Sequence, residues 1–222
     1  MRNDGPPRGP YLLGSLRKGL KVLDRFAHRQ SWSLAALSAE LGQSKPTVFR
    51  ILRTLEEFGY LTKDAATGRD VPGLRLLGLA GAAVRHEQLR WQALAPLQDL
   101  ARKTGETVHV GVLHGTEAVC VQAVEDTRLA RMHAFVGERT PAHASALGKM
   151  LLAHRTEAEL QALYEGRDLP RFTPRTISIL PALEAALRRI REQGYALDEE
   201  EMEIGLGCIG APIFDHAGRA HG

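Results

Sequence analysis

The stretch that most constrains this chain is SLAALSAELGQSKPTVFRILRTLEEFGY, residues 33–60. It holds two helical patterns with only the tripeptide GQS between them. Ser33 can cap the first through its hydroxyl, and Gly42 can end it in the left-handed conformation. Ser44 can cap the second, with Pro46 in the first turn, where a missing N–H does no harm. Val48, Ile51, Leu52, Leu55 and Phe58 recur at helical spacing and define one buried stripe. Two helices joined this tightly form a helix-turn-helix. Upstream, Ser15 can cap a helix carrying Leu16, Leu20, Leu23 and Phe26, over Ser15–His28. Downstream, GYLTKDAATGRDVPG reads as two short strands around a turn at Ala65–Gly68. Three helices followed by such a hairpin make a winged helix-turn-helix.

Off the apolar stripe of the third helix sit Ser44, Lys45, Thr47, Phe49, Arg50 and Arg53. Cations there add to an N-terminus whose dipole is already positive, which suits a polyanion. In a helix-turn-helix the second helix of the pair enters the DNA major groove with its N-terminal residues at the base edges. Ser44, Lys45 and Thr47, with the free N–H groups, can hold phosphates. Arg50 can offer two donors to a guanine edge, and Phe49 can touch a thymine methyl. Arg53, one turn on, suits a phosphate, and Glu56 and Glu57 lie at the far end. The bland alternative is an amphipathic surface helix whose cations are merely solvated. Charge along the chain weighs against it: residues 1–80 hold 13 Lys/Arg and 7 Asp/Glu, against 16 and 19 in the remainder. A basic head on a mildly acidic body is the footprint of nucleic-acid binding joined to another task, although a chance fluctuation gives the same count.

The body reads as α+β. From Leu74 a helical pattern runs through LRLLGLAGAAVRHEQLRWQALAPLQDLARKTG, with a break expected near Pro96. ETVHVGVL and EAVCVQAV alternate around HGT as a β-hairpin, and RMHAFVGERTP offers another strand. HASALGKMLLAH, TEAELQALYEG and PALEAALRRIREQG are helical, whereas YALDEE and LGCIGAPIF are strand-like, giving an antiparallel sheet flanked by helices. The expected division is a disordered tail over 1–10, a winged helix-turn-helix over 11–73, a linker helix over 74–90 and a second domain over 91–222. At 44% hydrophobic and 25% charged the composition is that of a globular protein. No apolar run reaches the roughly 18 residues of a membrane span, and no signal-peptide core precedes the first helix. Cys120 and Cys208 have no C-x-x-C partner, which argues against a disulfide framework or zinc ribbon. A cytoplasmic protein with no membrane partner is expected.

The chain resembles the IclR-type family of bacterial transcription regulators from about Ser15 to Arg219. The resemblance is carried by SLRKGLKVLDRF, SLAALSAELGQSKPTVFRILRTLEEFGYL, GETVHVGVLHG, PAHASALGKMLLA and GYALDEEEMEIGLGCIGAPIFD. It implies a winged-helix domain tethered by a helix to a GAF-like effector-binding domain, and a homodimer or dimer of dimers on a palindromic double-stranded DNA operator. It also implies repression as the commoner outcome. The family turn that hydrogen-bonds a small carboxylate-type effector falls here on Ala146 and Leu147. Asp198 and Cys208 occupy the family's other polar pocket positions, and Leu129 and Met132 match its apolar wall. PAHASALGK itself presents small residues where a helix begins, so backbone N–H groups are open to a small organic acid. On the residues alone, Asp198 is equally a solvated acid in the run DEEE, and Cys208 a small buried strand residue.

Two departures from the family pattern stand out. Asp70 and Pro72 replace an aromatic and a leucine in the second wing strand, and because a proline cannot donate to a ladder that strand is expected to be short or an edge. Family members also continue past DHAGR into a further strand and a closing helix, so an incomplete effector domain with an exposed sheet edge and impaired stability or association is expected. Two other readings remain open. One is an effector-free DNA-binding or dimerisation protein with a degenerate ligand domain. The other is an enzyme, for which Cys208, His143 and Asp198 are the credible set, at a spacing that is no metal signature. No catalytic residue, cofactor or metal is expected.

Overall fold

The computed structural model describes residues 12–85, 88–124, 135–220 and 222, without the side chains of 83–91. The expected 1–10 tail lies outside these residues. The chain divides into two compact units, with the boundary after Arg85.

The first unit opens with α1 (Gly14–His28), α2 (Leu34–Leu41) and α3 (Lys45–Glu57). Ser33 caps α2 as expected, accepting the Ala36 N–H, and Gly42 ends it at φ +59°. Ser15 does not cap α1: the helix begins one residue earlier, after Leu13, with no side-chain cap. Ser44 precedes α3, but its hydroxyl bonds the Thr47 hydroxyl at 2.9 Å instead of a backbone N–H. The core gathers Val22, Phe26, Trp32, Leu37, Val48, Leu52 and Leu61, with Leu23, Ile51 and Leu55 half-buried against it. Phe58 leaves the expected stripe, because it stands just past the end of α3 and is 57% exposed. Leu16 and Leu20 of α1 are likewise exposed.

The wing is β1 (Leu61–Lys63) paired antiparallel with β2 (Asp70–Pro72). Between them Asp64 accepts the Thr67 N–H and hydroxyl, which draws its carboxyl below the usual range. The unusual Asp70 is buried. Its backbone exchanges two hydrogen bonds with Trp32, and its carboxylate takes the Lys63 ammonium at 2.8 Å. Where the family pattern has an aromatic, this strand carries a buried carboxylate paired with a cation. Replacing Lys63 by Ala leaves a buried carboxylate short of its donor, a loss of about 1–3 kcal/mol. Urea unfolding of the full chain, with amide exchange across 61–72, measures it; unchanged exchange at Asp70 would contradict this role.

The second unit follows α4 (Arg75–Arg85) of the first and begins with α5 (Gln88–Thr104). Pro96 sits inside α5 and does not end it. The expected break therefore does not occur there. Strands β3 (Val108–His114), β4 (Glu117–Val124) and β5 (Arg139–Pro141) form an antiparallel meander, turning first at Gly115 with φ +61°. A 3₁₀ turn (Ala142–Ala144), α6 (Ala146–Ala153), α7 (Glu157–Tyr164) and α8 (Leu180–Gln193) lead to β6 (Ala196–Glu199) and β7 (Gly207–Gly210), a second two-stranded sheet. Thr156 and Glu159 form a capping box at α7, and Gly194 ends α8 at φ +81°. Helix α6 touches both sheets. Met150, Leu152, Leu160, Leu183 and Leu187 form the core among the helices, while Leu97, Val110 and Val121 pack α5 on the meander.

Candidate nucleic-acid interface and effector site

On α3 the side chains of Ser44, Lys45, Phe49, Arg50 and Arg53 are exposed and Thr47 half-exposed, while Val48 and Leu52 turn into the core. The expected division between a buried stripe and an outward cationic face is therefore present. The Lys45 ammonium and the Arg50 guanidinium have no partner among the described residues. Arg53 does: its guanidinium pairs with Glu56 and lies 5.3 Å above the Phe49 ring. Phe49 is 47% exposed, so the ring stays open to solvent beside the guanidinium. A phosphate would have to compete with Glu56 for Arg53.

In the second unit, Ala146 is buried and Leu147 half-buried in the first turn of α6. Ser145 caps that helix by accepting the Gly148 N–H, and neither the Ala146 nor the Leu147 N–H finds an acceptor among the described residues. Two glycines give the turn room. A Cβ on Gly111 of β3 would lie 2.6 Å from a Leu147 methyl, and one on Gly210 of β7 would lie 3.0 Å from the Ala146 carbonyl. Asp198 and Cys208 stand directly opposite each other across β6 and β7. Asp198 is 3% exposed, not a solvated member of an acidic run; its carboxylate accepts the Glu201 N–H at 2.7 Å. Burial raises its pKa, countered by that bond, by Lys149 and by the Met202 N–H. Burial and then Asp198 push the half-buried Cys208 thiol up to about 11, far from a thiolate at neutral pH. His143 places Nε2 3.0 Å from the Pro170 carbonyl and its ring 6.0 Å from Phe172. The expected apolar-wall residues Leu129 and Met132 lie outside the described residues.

Sequence reasoning missed Lys149 and Glu201. The Lys149 ammonium, 3% exposed at the side chain, donates to the Leu197 carbonyl at 2.6 Å and pairs with Glu201. A lone cation inside the otherwise apolar ALGKMLLA was the available signal. Among the described residues no three His, Cys, Asp or Glu side chains converge as a metal site, and no helix is long and apolar enough to cross a membrane.

Comparison with known proteins decides the family. Residues 15–65 match the IclR helix-turn-helix domain, and residues 81–222 match the bacterial transcriptional regulator IclR C-terminal domain. The chain belongs to the IclR family. It is 37% identical over 209 residues to the HTH-type transcriptional regulator XynR of Escherichia coli K12, covering 94% of this chain and 83% of XynR. The HTH-type transcriptional repressor AllR of Salmonella typhi is 36% identical over 206 residues, covering 92% and 75%. Among solved structures, the IclR of Thermotoga maritima superposes with a TM-score of 0.70 at 32% identity, over 93% of this chain and 84% of that one. As in its relatives, this IclR-family chain is an HTH-type transcriptional regulator: an N-terminal helix-turn-helix unit followed by an α+β unit with antiparallel strands.

Proposed function

We propose that this IclR-family protein represses transcription by binding a palindromic operator as a homodimer or dimer of dimers, and that a small organic acid modulates that binding from the second unit. The observation that carries the DNA reading is the outward face of α3, where Lys45, Phe49 and Arg50 project from the N-terminal turns while the opposite face closes the core. Exposed Leu12, Leu13, Leu16 and Leu20 on and before α1 form an apolar strip that suits a second copy. The effector reading draws on the open Ala146 and Leu147 N–H groups, with Asp198 and Cys208 as the other polar positions and Leu129 and Met132 as the apolar wall that the family resemblance supplies. Asp198 would accept from a ligand hydroxyl, because two bare carboxylates repel. The opposing observation is that Ala146 and Asp198 are buried, which favours a regulator that takes no ligand. Ligand titration decides between the two. No catalytic role is assigned, and the protein is read as cytoplasmic.

Arg50→Ala should lower specific operator affinity by about 1–3 kcal/mol, whereas Glu57→Ala, at the far end of α3, should change it little. Gel-shift titration of both variants against a specific and a scrambled duplex makes the comparison. Equal losses would remove α3 from the groove. For the effector, Ala146→Trp should abolish any response to small keto, aromatic or sugar acids while operator binding without ligand persists. An undiminished response would place the ligand elsewhere. Light scattering at micromolar concentration should give at least a dimer.

A further inference from the structure

Around Asp198 the structure spends more polar groups than one ligand contact requires. Lys149 reaches from α6 to the end of β6, taking the Leu197 carbonyl and Glu201. Glu201 in turn donates its N–H to the Asp198 carboxylate. The Thr176 hydroxyl donates to the Glu201 carbonyl at 2.6 Å, and the Thr173 hydroxyl to the Glu200 carbonyl at 2.6 Å. Between these anchors Glu200 is held at φ +65°, the one non-glycine residue in that region among the described residues, a strain that persists only where surroundings enforce it. The second Glu201 carboxylate oxygen is buried without a partner.

A pair that served stability alone would not need this arrangement, since matched apolar side chains commonly do as well or better than a buried ion pair. The arrangement does join the two halves of one site. Lys149 lies about one turn beyond Ala146 on the same short helix, and Glu201, whose carboxylate it holds, bonds Asp198 through its N–H. We propose that Lys149 is a positioning residue of the effector site, acting through Glu201 to orient the Asp198 carboxylate. This rests on reading Asp198 as an effector contact.

The charges around Asp198 make the claim measurable. Burial raises both carboxyls; Lys149 opposes this at each, and Asp198 and Glu199 add to it at Glu201. The other ionisable neighbours are Cys208 across the strand pair, His143 near Lys149, and Arg175 with Glu200 at the rim. Removing the Lys149 charge must therefore move the Asp198 titration to higher pH, and removing the Glu201 charge must move it lower.

The test follows the Asp198 carboxyl by carbon-detected NMR in the full chain, in Lys149→Met, in Glu201→Gln and in the double variant Lys149→Met/Glu201→Met. It is paired with amide exchange at Met202 and with binding of pyruvate, benzoate and gluconate. Asp198 should titrate about one pH unit higher in Lys149→Met and lower in Glu201→Gln. The double variant, which removes both members of the ion pair together, should melt near the parent yet exchange the Met202 amide at least tenfold faster, as Asp198 loses its place. If Lys149→Met alone does not fold, the other two variants carry the comparison. Unmoved titration in Glu201→Gln together with parental Met202 exchange in the double variant would reduce the pair to a structural one and overturn the proposal. If Asp198 responds as expected but none of the three acids binds the parent, the effector reading fails and the positioning of Asp198 stands.

Discussion

Gly148→Ala is expected to cost about 3 kcal/mol or more, the upper end of what overpacking a close contact does. A Cβ at this position would lie 2.2 Å from the Ala142 Cα and 2.5 Å from the Ala142 carbonyl oxygen. Both are backbone atoms, so no side chain can swing aside. The glycine's role is therefore not conformational freedom but the absence of a side chain, which lets α6 lie against the 3₁₀ turn that precedes it. Gly78, in α4, has nothing within 4 Å of the same construction, and Gly78→Ala should raise stability by up to about 1 kcal/mol through the unfolded state. Urea unfolding of the full chain should thus move in opposite directions for two chemically identical substitutions. A parental midpoint for Gly148→Ala would mean that α6 does not approach Ala142 as described.

Leu37→Ala should be comparably damaging in the first unit. Leu37 is fully buried between α1 and α3, in the cluster with Val22, Phe26, Val48 and Leu52. Truncating a buried leucine costs about 2–5 kcal/mol, and a domain of roughly 70 residues has only about 4–10 kcal/mol to lose. Operator binding should consequently fall far more at 37 °C than at 10 °C, although Leu37 touches no DNA. A temperature-independent loss would show instead that the substitution acts on the groove-facing side chains directly.

The helix-turn-helix was legible because its signals are local. Ser33, Gly42 and the Val48–Leu52 spacing act within one or two turns of the residues they organise, and each did what its chemistry suggested. Where the reading failed, a local rule met a competing partner. Ser15 has a good capping side chain, yet Gly14 was already helical. Pro96 removes one donor, yet α5 absorbs it because Ala93 and Leu97 pack on the meander. Phe58 kept the period of α3 but lay past its last turn. On the outward face of α3 the exposed residues could be named in advance, since a face needs only helical geometry. The surroundings of Asp198 could not. Lys149 and Glu201 stand 52 residues apart, and no spacing rule links a lysine in an apolar helix to one acid among four in a row.

Helix α6 has consequences for synthesis on the ribosome. It is eight residues long, too short to persist alone in water. Seven of its residues are buried, and two of its packing partners, β6 and β7, begin only at Ala196 and Gly207. At about 5–20 residues per second, roughly 3–12 s pass between emergence of ALGKMLLA and of its last strand. During that interval the growing chain carries an unfolded, strongly apolar segment with a cation in its middle, while the first unit, complete by Arg85, is already free to fold. Translation speed and holdase chaperones therefore act on the second half of this protein far more than on the first.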